Sequence, residues 1–532
     1  MADAQGGNGV RQSASGGSQR WLFWACFIAL VATSSAFVTR FAVLPEWGRQ
    51  FNLTAVQMGE IGGAGVWPFA VSIILFSLVV DSIGYGTAMA FAFICHVAYG
   101  IIVVLAPGVL APAGASAEAV AAGQNKAYWL LYIGSFILAL GNGTVEAVIN
   151  PVVATMFSKE KTKWLNILHA GWPAGLVGAG IVTIAMGGAD WRYKVGLIFI
   201  PAVLYGLMML GRKFPVQERV AAGGSYLGML QEFGVLAALL VVPLIVRQVA
   251  SVFGLSVGVE VAIDLVALVG FGVIVRAPGS IMLFVLMLIM MPLATTEIGT
   301  DGWITALMEK EMQRHDLHPA SVLVYTSFIM MVLRFFAGPI VHRLKPLGLL
   351  AVSALIAACG LFFLSKAAGI AILVAATLYG FGKTFFWPTM LGVVSEQCPR
   401  GGALTLNAVG GMGMLAVGVL GFPFIGLLQE NAATAQLKKD QPALYAKVLI
   451  QKDGILGRYE AVDPEKAKTL PKAEQDTVAG VVEKAQHGAL ANMALFPCIM
   501  LVGYLLLMAY FASKGGYKPV ELVSKPSPEH GG

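Results

Sequence analysis

The feature that most constrains this chain is a succession of apolar runs, each about 20 residues long, recurring from Trp21 to Phe511. At 1.5 Å of rise per residue, such a run crosses ~30 Å of hydrocarbon as a helix. Lipid offers no partner to a free backbone N–H or C=O, so a crossing segment must satisfy its own hydrogen bonds, which a helix does and an open sheet edge does not. The two-residue alternation of a membrane barrel is absent. Of the 532 residues, 57% are hydrophobic and 12% charged, against about 25% charged in a soluble domain. The sequence predicts an all-α polytopic membrane protein and excludes a soluble one.

Fourteen spans can be marked, at roughly 21–45, 56–80, 86–107, 127–156, 166–188, 194–211, 232–252, 255–276, 280–306, 319–341, 346–366, 368–393, 402–429 and 488–513. Basic residues in short connections, among them Arg20, Lys159, Lys161, Lys163, Arg212, Lys213, Arg343 and Lys514, fall on one side, which places both termini in the cytoplasm. Residues 1–20, rich in Gly, Ser and Gln, read as a disordered cytoplasmic tail ahead of an uncleaved first span. The predicted organisation is a six-helix bundle over 21–211, a linker with an extra transmembrane hairpin over 212–279, and a second six-helix bundle over 280–513. A helical extracytoplasmic insertion at about 430–487 and a cytoplasmic tail over 514–532 complete it.

The formal net charge of +6 is small for this length, which argues against nucleic acid as a partner. Four of the five cysteines fall inside apolar runs without CxxC or Cys/His spacing, so neither a disulfide framework nor a metal site is expected, and no cofactor. The expected partners are a small-molecule substrate, protons and the lipid bilayer, with the chain acting as a monomer.

The sequence repeats itself. Gly141-Asn142-Gly143 is followed by Glu146, Asn150 and Pro151, then Leu165-Asn166 and a Gly-rich span; Gly380-Phe381-Gly382-Lys383 is followed by Trp387 and Pro388, then Leu406-Asn407 and a Gly-rich span. Corners after the second span (Asp81 to Gly84) and its later counterpart (Gly338 to Arg343) also correspond. Two homologous halves are the simplest explanation, and internal repeats are a mark of secondary transporters.

An ionised side chain near the bilayer centre costs at least ~2.5 to 3.5 kcal/mol, so each needs a wet cavity, a partner or a shifted proton equilibrium. Glu146 lies mid-span and Lys383 occupies the matching span of the repeat; Arg40 and Glu297 lie in the outer halves of the two opening spans. Repeat-related helices thus carry opposite charges, and the four sum to zero. They read either as ion pairs that hold helices together or as the lining of one polar cavity in which Glu146 exchanges a proton. Asn142, Asn150, Trp172, Trp303 and Trp387 are further candidates for substrate contact, through amide hydrogen bonds and indole stacking on sugar rings. Asp81 and Arg334, nearer the cytoplasmic side, read as gating or structural residues.

On these residues the chain resembles the major facilitator superfamily, specifically its fucose-permease-like sugar:proton symporter branch. The resemblance is carried by Leu44-Pro45 with the turn to Thr54, the block from Gly141 through Glu146 and Asn150 to Pro151, Leu165-Asn166, the stretch from Thr296-Glu297 to Trp303, and Gly380-Phe381-Gly382 through Pro388-Thr389. It implies a twelve-helix core whose central cavity is lined by the first and fourth spans of each half, with Glu146 coupling protons and Asn150 close to substrate. The implied setting is the bacterial inner (cell) membrane. Where the branch's sugar symporters place an acidic residue in the first span, this chain has Arg40, which suits a carboxylate or phosphate.

The leading expectation is proton-driven transport of a small, sugar-like polar solute by alternating access. The alternative is an organic-anion carrier that uses Arg40 and Lys383 as clamps. A remote third, an intramembrane serine hydrolase, rests on Gly254-Leu255-Ser256-Val257-Gly258, which matches the nucleophile-elbow pattern without its strand–turn–helix setting.

Overall fold

Because hydrocarbon leaves no alternative, nearly every apolar run becomes a helix in the computed structural model. It describes residues 6–522 except 315, 317, 319, 368, 370, 455 and 456. Side chains are described from Gly17 on, except those at 55, 56, 303, 305–307, 309–311, 422, 453, 454, 465, 486, 487 and 489.

The first half contains α1 (Gly6–Gln50), α2 (Ala55–Ala64), α3 (Trp67–Ile83), α4 (Tyr85–Leu105), α5 (Ala117–Met156), α6 (Lys161–Leu168), α7 (Gly171–Ala185), α8 (Trp191–Gly196) and α9 (Phe199–Met209). The stretch expected as a disordered tail over 1–20 is, from Gly6 on, continuous with α1; residues 1–5 lie outside the described residues. A linker with the short α10 (Glu218–Ala221) leads to the helical hairpin α11 (Tyr226–Phe253) and α12 (Val257–Val275). The second half contains α13 (Ile281–Ala294), α14 (Thr300–Leu307), α15 (Glu309–Arg314), α16 (Ser321–Phe335), α17 (Ala337–Leu364), α18 (Ala371–Lys383), α19 (Phe386–Gln397) and α20 (Gly402–Leu415), with π turns at Thr295–Gly299 and Ala416–Gly421.

Next come α21 (Phe422–Asp440), α22 (Pro442–Val448), strands β1 (Leu449–Gly454) and β2 (Gly457–Val462), α23 (Pro464–Lys468), α24 (Lys472–Met493) and α25 (Leu495–Ser513). The antiparallel pairing of β1 with β2 corrects the purely helical expectation for residues 430–487. Gly454 and Gly457, the latter with φ of +108°, turn the chain back there. This insertion has a small apolar core of its own around Leu437, Leu444, Val448 and Val478.

Among the described residues, twelve helical stretches are long and apolar enough to cross a membrane, and both helices of the hairpin are among them. Two expected spans are shorter. One is the 15-residue α16; the other is divided into α18 and α19 by a break at Thr384–Phe385. The second span is likewise broken at Gly65–Val66, ahead of Pro68, and the fifth at His169–Ala170. Within α17, Lys345 leaves the helical region (φ 57°, ψ 160°) because Pro346 disfavours a helical residue before it.

Helix packing repeats between the halves. α1 packs on α7 as α13 packs on α20, α3 on α5 as α16 on α18, and α4 on α5 as α17 on α18. Across the halves, α3 meets α20, α7 meets α16 and α6 meets α19. The hairpin lies at the periphery, where Val266, Val269 and Val273 of α12 are exposed and Val275 is that helix's buried residue. Such an apolar face is stable against lipid and not against water.

Glycine sets the closest approach in the second half. A Cβ on Gly382 would stand 2.3 Å from the Ala357 backbone nitrogen, and one on Gly360 2.5 Å from that of Tyr379. Gly382→Ala is therefore expected to lower stability by about 1–3 kcal/mol through overpacking. Gly348→Ala, where nothing lies within 4 Å, stays neutral or gains slightly. Thermal unfolding of the purified protein in lipid checks this, and equal melting of the two variants contradicts it.

Candidate functional site

The helix breaks put backbone carbonyls where a regular helix would bury them, and buried cations collect there. At the end of α2, Arg40 Nη1 donates to Ile61 O (3.1 Å) and Gly62 O (2.9 Å). Its guanidinium lies flat against Gly65, where any Cβ would stand 1.7 Å from Nη1. Arg40 thus caps the last turn of α2, where Gly62 O also accepts the Gly65 N–H at 3.3 Å. Its Nε and Nη2 are buried without a hydrogen-bond partner, as is the hydroxyl of Tyr99, the residue with which Arg40 interacts electrostatically.

Arg334 fills the corresponding role between the halves. Its side chain is 1% exposed and reaches three elements. Nε donates to Thr384 O (2.6 Å) at the α18–α19 break, Nη1 to His169 O (2.8 Å) at the α6–α7 break, and Nη2 to Glu297 Oε1 (2.8 Å) on the first π turn. The other oxygen of Glu297 accepts the Trp387 backbone N–H at 3.1 Å. π turns project side chains out of helical register and recur at functional sites.

Lys383, fully buried, forms an ion pair with Asp301 and stands 5.2 Å above the ring of Tyr379, whose hydroxyl donates to Thr296 O at 2.7 Å. Glu146, buried on α5, accepts Asn150 Nδ2 at 2.7 Å; Asn150 Oδ1 lies 2.9 Å from His169 Nε2, and that nitrogen lies 4.0 Å from Glu146 Oε2.

Arg40 is thus matched by helix-end carbonyls and Lys383 by Asp301. Arg334, expected near a gate, bonds to both halves within the central network. Asn142 is held inside the first half by His96 (2.9 Å), whose second ring nitrogen meets the Tyr205 hydroxyl at 3.1 Å. Trp172 is half-buried against Phe37, and the Trp387 indole packs on Gly410 and Gly413. The Trp303 side chain lies outside the described residues. Asp81 pairs with linker residue Arg219 at 2.5 Å.

Asp301 escaped the sequence reading. Asp301 follows Glu297 by four residues, a same-face spacing that was readable. His169 is recruited through its carbonyl, which leaves no sequence signal. The two Leu-Asn motifs cross between halves in mirrored fashion: Asn166 donates to Thr389 Oγ1 at 3.1 Å, and Asn407 to Ala147 O at 2.8 Å.

On the face that carries Asp81, the halves are tied by Lys161 to Ser395 O (3.2 Å), Thr162 to Glu396 (2.6 Å) and His342 to Glu160 (3.0 Å). Lys163, with His342 beside it, holds the Glu160 carboxyl below the usual range. A mostly apolar cavity of about 700 Å³ lies by α2, lined by Phe41, Pro45, Gly62, Trp67, Gln248 and Gly418; another of about 720 Å³ lies in the insertion. Neither of these two is lined by Glu146 or Lys383. Ser256, of the elbow-like motif, occupies the start of α12 without a capping bond from its side chain.

Residues 25–422 match the Major Facilitator Superfamily as a protein family. No curated protein matches the sequence. Among solved structures, the chain is similar to a Major Facilitator Superfamily transporter, FucP, in the outward conformation (TM-score 0.55, 15% identity, 92% of this chain and 99% of that one). It is also similar to the proton:xylose symporter XylE bound to 6-bromo-6-deoxy-D-glucose (0.54, 14%, 90% and 95%). A third similar structure is the human organic anion transporter MFSD10 (0.53, 12%, 91% and 99%). At these identities the likeness concerns the fold.

Removing one member of a buried ion pair strands a charge, at about 3–5 kcal/mol, whereas removing both is far milder. Lys383→Ala and Asp301→Ala are expected to melt well below the native protein, with the double variant recovering most of the loss. A double variant as unstable as the sum of the singles would deny the pairing.

Proposed function

The chain belongs to the Major Facilitator Superfamily of membrane transporters, and from that premise we propose that it moves a small, sugar-like polar solute by proton-coupled alternating access. The observation that carries this reading is the state of Glu146. Of the three acidic residues in the network, Glu297 meets Arg334 and Asp301 meets Lys383, whereas Glu146 is met within hydrogen-bonding distance by the amide of Asn150. A buried carboxylate without a cation is costly, and taking up a proton relieves the cost. The other two acids each have a cation within ion-pair distance, and Glu146 is the one left to exchange a proton. The sugar:proton symporters among the similar folds are in keeping with this reading.

On the same reading, the shorter α16 and the broken α18–α19 pair cross the bilayer along with the twelve long stretches. That makes fourteen spans: a six-helix half over 21–211, a linker and extra hairpin over 212–279, and a second half over 280–513. Both termini then face the cytoplasm of a bacterial inner membrane, and the protein works as a monomer. Asn150, Trp172, Glu297, Lys383 and Trp387 border the solute path.

A second reading, organic-anion transport, is favoured by one observation, the two buried guanidinium nitrogens of Arg40 that lack a partner. A carboxylate reaching them would be bound strongly.

In proteoliposomes, Glu146→Gln is expected to abolish accumulation driven by a proton gradient while sparing solute exchange. Unimpaired accumulation would remove Glu146 from coupling. The solute comes from a thermal-shift screen of sugars and organic acids, since a ligand at about 100 times its Kd stabilises by ~2.7 kcal/mol. Stabilisation by carboxylates that is lost in Arg40→Ala selects the second reading.

A further inference from the structure

We propose that residues 517–520, which follow α25, form a strap that holds the end of α19 ready to receive the first half, and so favours the closed state of the face that carries Asp81. This rests on the alternating-access part of the reading above and is independent of Glu146 and of the solute.

Two consecutive glycines bring the chain back to α19. Gly515 (φ 86°) and Gly516 (φ 99°) occupy the left-handed region that other residues avoid, and the Gly516 N–H returns to Phe511 O at 2.8 Å. The chain therefore reverses at the end of α25. Tyr517 sets its ring edge-on to that of Phe511, with 5.0 Å between centroids. Lys518, Pro519 and Val520 are exposed, so hydrogen bonds rather than burial hold them.

Those bonds all go to the last two residues of α19. The Tyr517 hydroxyl donates to Glu396 Oε2 (2.7 Å), the Val520 N–H to Glu396 O (2.8 Å), and Gln397 Nε2 to Lys518 O (2.9 Å). The carbonyls of Ser395 and Glu396 lie in the last turn of the helix, which ends at Gln397. Four residues beyond Ser395 stands Pro399, which has no N–H to give.

The first half uses the same helix end. Ser395 O accepts Lys161 Nζ at 3.2 Å, and Glu396 Oε1 accepts the Thr162 hydroxyl at 2.6 Å; both donors are on α6. One carboxylate is thus shared, with one oxygen bound by the strap in its own half and the other by the opposite half.

When this face opens, α6 withdraws and takes Lys161 and Thr162 with it. An untethered Glu396 would then swing into water, and each reclosure would have to order it again. An acceptor already held in place avoids that entropic cost. The bonds of the strap lie wholly within the second half, so they survive opening and do not resist it. They act by keeping Oε1 aimed at the place to which Thr162 returns, which makes Tyr517 a positioning residue for the Glu396–Thr162 contact.

The test uses the full-length protein in lipid nanodiscs, with the exposed Cys359 and Cys498 replaced by Ser and spin labels on S82C and L344C, exposed positions in the two halves. The ratio of long (open) to short (closed) label distances is the readout. T162V is expected to raise that ratio about 2- to 10-fold, the effect of one net hydrogen bond. Y517F keeps the ring beside Phe511 and removes the hydroxyl; it should raise the ratio at least about twofold without lowering the melting temperature. The double variant T162V/Y517F should open no further than T162V, because the aim of Glu396 no longer matters once its donor is gone.

A native ratio in Y517F or in T162V overturns the strap. So does a Y517F that opens only with a lowered melting temperature, or a double variant that opens by the product of the single effects. A single label distance in the native protein and in every variant overturns alternating access itself and the proposal with it.

Discussion

An ion cannot rest in hydrocarbon without company, and the interior of this protein is arranged around that requirement. Six charged side chains lie in the central region: Arg40, Glu146, Glu297, Asp301, Arg334 and Lys383. Their charges cancel, but they do not pair off evenly. Two ion pairs, Glu297 with Arg334 and Asp301 with Lys383, both belong to the second half. In the first half Arg40 meets peptide carbonyls through Nη1 alone, and Glu146 meets an amide, with an imidazole nitrogen 4.0 Å away. The second half is thereby electrostatically closed on itself. The first half holds one cation with two unpartnered nitrogens and one acid bonded to an amide, and Arg334 is the member that touches both halves.

Broken helices supply what the cations need. The breaks at Gly65–Val66, His169–Ala170 and Thr384–Phe385 leave carbonyls open to a side-chain donor, and Arg40 and Arg334 supply it. Irregular backbone is tolerated at membrane depth only where protein or water satisfies it. The same breaks give the helices places to bend, so the groups that fix the charges are also placed to report motion. The crossed asparagines, Asn166 to Thr389 and Asn407 to the Ala147 carbonyl, hold the halves in register beside this network.

Much of this was legible in the sequence, and the limits have physical causes. Apolar run length is a direct consequence of bilayer thickness, so the helices and the repeat were readable, as were the residues too charged for their position. Their partners were not. Whether Lys383 meets Glu146 or Asp301 depends on how helices rotate against one another, which hydropathy does not encode. Arg334 looked peripheral by position in its run, yet α16 is short enough that its end reaches the central network. His169 contributes through its carbonyl, and any residue at that break would present one. The β-hairpin of the insertion hid in a polar stretch whose composition favours helix, with Gly454 and Gly457 as its cue.

The account stands or falls on whether Glu146 carries and releases a proton inside the membrane. Infrared difference spectroscopy of the native protein and Glu146→Gln in lipid, titrated across pH, addresses this directly. A carboxylic-acid C=O band that titrates in the native protein and is missing from the variant is the expected result. A titrating band of equal intensity in both would place the mobile proton on another group and contradict the account.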